Sequence, residues 1–179
     1  MHERRFKAEI GRLRSPERVA LLEVDRVIEE CLRGIKVHSV LDVGTGSGIF
    51  AEAFAKRGIS VTGIDPNPDM LKVAKEFVAE GKFREGIIEK IPYKDKSFDL
   101  VFLSHVLHES DDIPKALAET KRCASQRVVV LEWPFRKEEI GPPLEHRLDS
   151  VDVEAIARRI GFQHVKTIEL MHMILFIFS

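Results

Sequence analysis

The chain has 179 residues, enough for one domain with a full core and too few for a second of similar size. Hydrophobic residues make up 44% and charged residues 32%, the balance of an ordinary soluble globular protein. A formal net charge of −1 removes any global electrostatic case for nucleic acid or a membrane surface as partner.

Residues 3–14 carry Arg4, Arg5, Lys7, Arg12 and Arg14, with Phe6, Ile10 and Leu13 at helical spacing, which predicts a short basic amphipathic helix. It reads either as a solvated helix packing by its apolar stripe or as a flap that attracts an anionic substrate. Ser15 then offers an N-cap and Pro16 a first helical residue. Ala20, Val24, Val27 and Cys31 line one face of a second helix that runs to Gly34. The opening residues have charge but no apolar core, so no secretory leader is expected. Cys31 and Cys123 fit no metal or redox spacing and read as buried thiols of a reduced, cytoplasmic protein.

Val40 to Val43 is apolar except for Asp42, as in a buried parallel strand. Glycines follow at 44, 46 and 48, and Ile49–Arg57 reads as a helix closed by Gly58. A strand, a glycine turn and a helix put backbone N–H groups and a positive helix end at one point above a sheet. Gly46-x-Gly48-x-x-Ala51 nearly fits a dinucleotide fingerprint, but Asp42 would face a pyrophosphate with the wrong charge and suits an ammonium group better.

Ile59–Asp65 is the second strand, ending in an acid placed to accept ribose hydroxyls or simply to make a turn. Asn67 and Pro68 start a helix over Met70–Glu80, and Lys82–Glu89 holds a third strand with its exit loop. Phe98–Leu103 is the fourth strand and leads into Ser104-His105-Val106-Leu107-His108-Glu109. Asp111, Asp112 and Pro114 open a helix reaching about Arg122, and Arg127–Glu132 is a fifth strand followed by Trp133. A connection over 137–148 leads to a helix over Val151–Ile160, capped by Ser150 and ended by Gly161. Phe162–Leu170 and Met171–Phe178 are joined too tightly for a crossover and form an antiparallel hairpin. The longest apolar run, Met173–Phe178, falls far short of the roughly 20 residues that span a bilayer.

Leu41-Asp42-Val43-Gly44-Thr45-Gly46-Ser47-Gly48 resembles the first motif of class I S-adenosylmethionine-dependent methyltransferases, and later motifs follow in order over residues 35–179. The resemblance implies an α/β three-layer sandwich with a seven-stranded, mostly parallel, Rossmann-like sheet and an antiparallel last strand. It implies one domain over 1–179, with helices in 1–33 closing over the site. S-adenosylmethionine would be held by Asp42, Gly44, Thr45, Gly46, Gly48, Asp65, Pro66, Ile87, Ile88 and Ser104. The family commonly has an acid where this chain has Ile87, so apolar contact of Ile87 or Ile88 with the adenine is expected instead. Ile91-Pro92-Tyr93 matches the family's proline-aromatic loop. The Asn/Asp-Pro-Pro-aromatic motif of amino-methylating members is absent after the fourth strand, which disfavours a nucleobase amino group as acceptor. The overall pattern is similar to the broad group that includes quinone-biosynthesis methyltransferases, with a small molecule as substrate.

A methyl acceptor needs a general base only if it must lose a proton, and His105, His108 and His146 are the candidates because imidazole titrates near neutrality. His105 ranks first by position, with a pocket-wall role as its alternative, and His108 reads as catalytic or structural. Trp133 stacks on a flat substrate or packs in the core, and His146 and Arg147 contact an anionic substrate or face solvent. His105, His108 and Glu109 share no helix face, so no metal is expected. A non-catalytic S-adenosylmethionine-binding module or regulatory subunit, and an NAD-dependent oxidoreductase, are the competing readings. The sequence sets no oligomeric state.

Overall fold

A computed structural model describes residues 11–179. Seven strands form one sheet: β1 (Ser39–Val43), β2 (Ser60–Asp65), β3 (Lys82–Glu85), β4 (Phe98–Ser104), β5 (Ala124–Glu132), β6 (Val165–Glu169) and β7 (Ile174–Phe178). Their order is β3-β2-β1-β4-β5-β7-β6. The first five run parallel, with Val43 beside both Ile64 and Leu103, while β7 lies antiparallel between β5 and β6. The expected seven-stranded, mostly parallel sheet with an antiparallel last strand is present.

Alternation along each strand builds the layers. Val40, Leu100, Phe102, Val129 and Leu131 face one core, which is filled by Leu22, Val27, Ile28 and Cys31 and by Phe50 and Phe54. Leu41, Val43, Val101, Leu103, Val128 and Val130 face the other, filled by Ala116, Leu117, Val153 and Ala157. The first group of helices is α1 (Pro16–Leu21), α2 (Val24–Leu32) and α3 (Ile49–Ala55). α4 (Pro68–Phe77) follows β2, and α5 (Ile113–Cys123) and α6 (Ser150–Ile160) cover the second face.

Several boundaries differ from the sequence reading. The helix expected from Ser15 to Gly34 is broken at Glu23, which adopts a left-handed conformation with φ 46°. The break turns Leu22 into the core and leaves Ala20 exposed. It also frees the Glu23 carboxylate to accept the Met171 N–H at 2.8 Å, tying α2 to the β6–β7 turn. α4 ends at Phe77 rather than Glu80, because Val78 leaves helical geometry to bury its side chain. Asp149, not Ser150, caps α6 by accepting the Val151 N–H at 2.9 Å. Most of the basic segment at 3–14 lies outside the described residues, and residues 11–13 are helical. Cys31 and Cys123 are free and buried, and burial raises both thiol pKa values, that of Cys123 to about 11. Among the described residues no helix is long and apolar enough to cross a membrane.

Candidate cofactor and active site

The carboxyl ends of β1, β2 and β4 and the loops that leave them enclose a cavity of about 670 Å³. This is where a parallel sheet places its ligands, beside the switch in strand order next to β1. The glycine loop forms its floor. Thr45 N–H donates to the Ile64 carbonyl at 3.0 Å, and Gly48 N–H folds back to the Thr45 carbonyl at 2.9 Å. Gly44 has φ 66°, and a Cβ there would overlap the side chain of Val106. Gly48 does not line the cavity; its missing Cβ lets the loop approach the Ala74 backbone of α4 instead. Around Gly46 a Cβ would meet only the Gly44 carbonyl, so this backbone lies open to a ligand.

Asp65 binds the loop to the second strand. Its Oδ2 accepts the Gly46 N–H at 2.9 Å and its Oδ1 the Asn67 N–H at 2.8 Å. Burial raises its pKa, and these two hydrogen bonds oppose the rise. Asp42, 2% exposed, accepts the Thr45 hydroxyl at 2.7 Å. Burial pushes Asp42 up to about 7, against that hydrogen bond and with help from the charge of Asp65. Neither acid pairs with a cation among the described residues. Two buried carboxylates without a counter-ion repel a pyrophosphate and suit a ligand bearing positive charge and ribose hydroxyls. With Ile88 buried, and Ile87, Pro66 and Met70 on the same cavity, this donor set fits S-adenosylmethionine.

The end of β4 builds the other half. Ser104 lines the cavity, and its Oγ lies 2.9 Å from His105 Nδ1. His105 has φ 58°, its Nε2 lies 3.1 Å from Met173 Sδ, and its ring sits 5.1 Å from that of Trp133. Sulfur is a weak acceptor, so the neutral tautomer with its proton on Nε2 satisfies both contacts. Burial, with added repulsion from Arg18 and His108, lowers His105 to about 3, so the ring is a poor base near neutrality. Of the two histidines it is His108, not His105, whose surroundings favour holding a proton. His108 stands on a one-turn 3₁₀ helix, Leu107–Glu109, which directs its ring at Glu132 on β5. Burial pulls the His108 pKa down, but the hydrogen bond to Glu132 and its charge outweigh this and leave it raised.

Trp133 lines the cavity and is 5% exposed. Behind it lies Arg147, also a candidate for substrate contact, which the structure employs otherwise. The Arg147 guanidinium donates to the carbonyls of Pro134, Arg136, Ile140 and Pro142, so four of its five N–H donors are used within the chain. It holds the loop that presses Gly141 against the Trp133 ring. His146 is exposed and does not border the cavity, because its 3₁₀ turn points it outward while Arg147 turns in.

Sequence reasoning missed one contributor, Arg18, and gave two others, Glu89 and Glu132, no settled role. Arg18 lines the cavity with its guanidinium 5.3 Å from the Trp133 ring. Glu89 fixes the far wall by accepting the Asp111 N–H at 3.2 Å and the Ser110 hydroxyl. Glu132 was legible only as an acid ending an apolar strand, and that is the signal that marks it.

The sheet order, the glycine loop and the two strand-end acids define a Rossmann-like nucleoside-cofactor protein of the methyltransferase type. The methyltransferase domain family matches residues 41–131, and the chain belongs to it. It is 38% identical over 94 residues to the malonyl-[acyl-carrier protein] O-methyltransferase of Serratia marcescens, a stretch covering 52% of this chain and 37% of that protein. It is 36% identical over 92 residues to the demethylmenaquinone methyltransferase of Chlorobaculum tepidum, covering 51% and 38%. The chain thus matches less than two fifths of the length of these curated relatives. A SAM-dependent methyltransferase structure from Aquifex aeolicus superposes with a TM-score of 0.84 at 27% identity, covering 96% of each chain.

Proposed function

We infer that the protein transfers a methyl group from S-adenosylmethionine to a small-molecule acceptor. The observation that carries this is the convergence of Asp42, Asp65, the glycine loop, Trp133 and His108 on one cavity. Asp65 accepts the ribose hydroxyls with the lone pairs that Gly46 and Asn67 leave unused, and Asp42 faces the ammonium. Gly44, Thr45 and Gly46 carry the ligand on their backbone, Gly48 seats the loop on α4, and Ile87, Ile88 and Pro66 flank the adenosine. Ser104 borders the methionine portion.

When bound, the cofactor supplies a methyl group on a sulfonium, which an in-line nucleophile takes to leave a neutral thioether. The chain's own residues then hold two reactants in line and dry, an effect that reaches roughly 7–11 kcal/mol in well-oriented systems. His108 takes the acceptor's proton on Nε2, while its Nδ1–H is held by Glu132. His105 stays neutral and shapes the wall beside Trp133. The acceptor named for each curated relative belongs to that relative, and the demethylmenaquinone of one of them supports a small-molecule acceptor here.

The 179 residues act as one domain whose N-terminal helices cover the site, a reading supported by Arg12, Leu13, Arg18 and Leu22 lining the cavity. The buried free thiols fit a cytoplasmic setting, and neither nucleic acid nor membrane is needed as partner. Calorimetry with S-adenosylmethionine and with NAD tests the reading: binding of the first alone is expected, and binding of NAD alone refutes it.

A further inference from the structure

We propose that the methyl acceptor is a planar organic anion whose carboxylate is bound by Arg18 and Arg12 while its ring lies against Trp133. The proposal rests on the methyltransferase reading above and adds the class of acceptor. Arg18 is half-buried on the cavity, and among the described residues its guanidinium makes no hydrogen bond or ion pair. Its guanidinium stands over the Trp133 ring, 5.3 Å from the centroid. Arg12, which is exposed, lines the same cavity and is also without a side-chain partner among those residues. Several other arginines are not left this way: Arg26, Arg33, Arg57, Arg122 and Arg136 each reach a carboxylate, and Arg147 gives four hydrogen bonds to carbonyls.

The chain is rich in carboxylates, and none among the described residues is set against these two cations. Half-burying an uncompensated guanidinium is costly, and two adjacent ones repel, as the lowering of the Arg18 pKa by burial and by Arg12 reflects. A ligand anion relieves both costs. The cavity's own acids do not serve. Asp42 and Asp65 are engaged in the cradle, Glu89 holds Ser110 and Asp111, and Glu109 lies beside His108, whose pKa it helps to raise. A carboxylate meets the guanidinium fork with two parallel hydrogen bonds, and an aromatic ring attached to it reaches Trp133, the wall on which Arg18 already rests.

The test uses the full chain saturated with S-adenosylhomocysteine, with the fluorescence of Trp133, the sole tryptophan, as readout. The probes are 3,4-dihydroxybenzoate and its neutral amide. The acid is expected to bind about tenfold more tightly than the amide, the effect of one charge-assisted contact. Arg18→Gln should abolish most of that preference while leaving S-adenosylhomocysteine affinity unchanged, and Arg12→Gln should weaken it in part. Arg18→Lys guards against a folding artefact by keeping the charge, and should retain part of the preference. Equal binding of acid and amide by the unaltered protein overturns the proposal. So does loss in Arg18→Lys as complete as in Arg18→Gln, because that makes Arg18 a packing residue for Trp133. Failure of the unaltered protein to bind S-adenosylhomocysteine at all refutes the methyltransferase reading instead, so the two failures are distinct.

Discussion

His108 Nδ1 lies 2.8 Å from Glu132 Oε2, and the other oxygen of the same carboxyl accepts the His108 backbone N–H at 3.2 Å. One buried acid therefore fixes both the ring and the turn that presents it. If His108 is the base, methyl transfer rises with pH through its raised pKa, because only the neutral ring accepts a proton. Glu132→Gln removes the charge that raises this pKa, so the midpoint of kcat against pH should move down and the plateau should fall on the order of tenfold or more. Cofactor affinity should not change. An unmoved midpoint sinks the pairing as a catalytic device. The linkage to stability has the opposite slope: a histidine with a raised folded pKa stabilises the fold below its unfolded value, and that contribution fades as pH climbs through the folded one.

Asp42 gives a second pH dependence. Its folded pKa is raised from 3.8 to about 7, so the cost of a buried charge sets in as pH rises through that interval. An ammonium beside it favours the ionised form. Binding of S-adenosylhomocysteine should therefore strengthen from pH 6 to pH 8, each unit of pH below the free pKa costing up to about 1.4 kcal/mol. 5′-Methylthioadenosine lacks the amino-acid portion and should show no such trend. Calorimetry across that range with both ligands decides the matter, and parallel pH curves would place the ammonium elsewhere.

For Asp65→Ala, the expected loss of S-adenosylmethionine affinity is at least about tenfold, or 1.4 kcal/mol. The Gly46 and Asn67 N–H groups also lose their acceptor, so thermal stability should fall in the free protein. Undiminished affinity would remove Asp65 from the ribose.

Gly44→Ala meets two penalties: a left-handed φ of 66° and overlap with Val106. A loss of about 2 kcal/mol or more in unfolding free energy is expected from strain and crowding together. Adding Val106→Ala should return part of it, since only the crowding is relieved. Denaturant melts of the single and double variants measure this. A double variant no more stable than Gly44→Ala would show that backbone strain alone is responsible.

The fold was legible because its signals are local and repeated. Val40–Val43 and Phe98–Leu103 are apolar but for one aspartate each, Asn67-Pro68 starts a helix by capping chemistry, and Gly58 and Gly161 end two others in left-handed geometry. The cradle was legible for the same reason, as its glycines and acids lie in one short run and one strand end. The acceptor half was not. Which histidine turns to Glu132 depends on a single left-handed residue, His105, and nothing in the sequence marks a histidine for φ 58°. Arg147 looked free because its partners are carbonyls, which every residue carries and no sequence pattern displays.

Carbonyl partners leave the acceptor wall free to change. The loop behind Trp133 is gripped through its peptide oxygens by Arg147, and exchanging Phe135, Lys137 or Ile140 leaves those oxygens in place. Phe135 and Ile140 are also exposed, so little packing ties them to their present identities. Retention of shape and freedom of composition are thereby separated: one arginine keeps the loop's course, and its side chains stay open to substitution. A set of proteins with the same frame and different acceptors would differ there first.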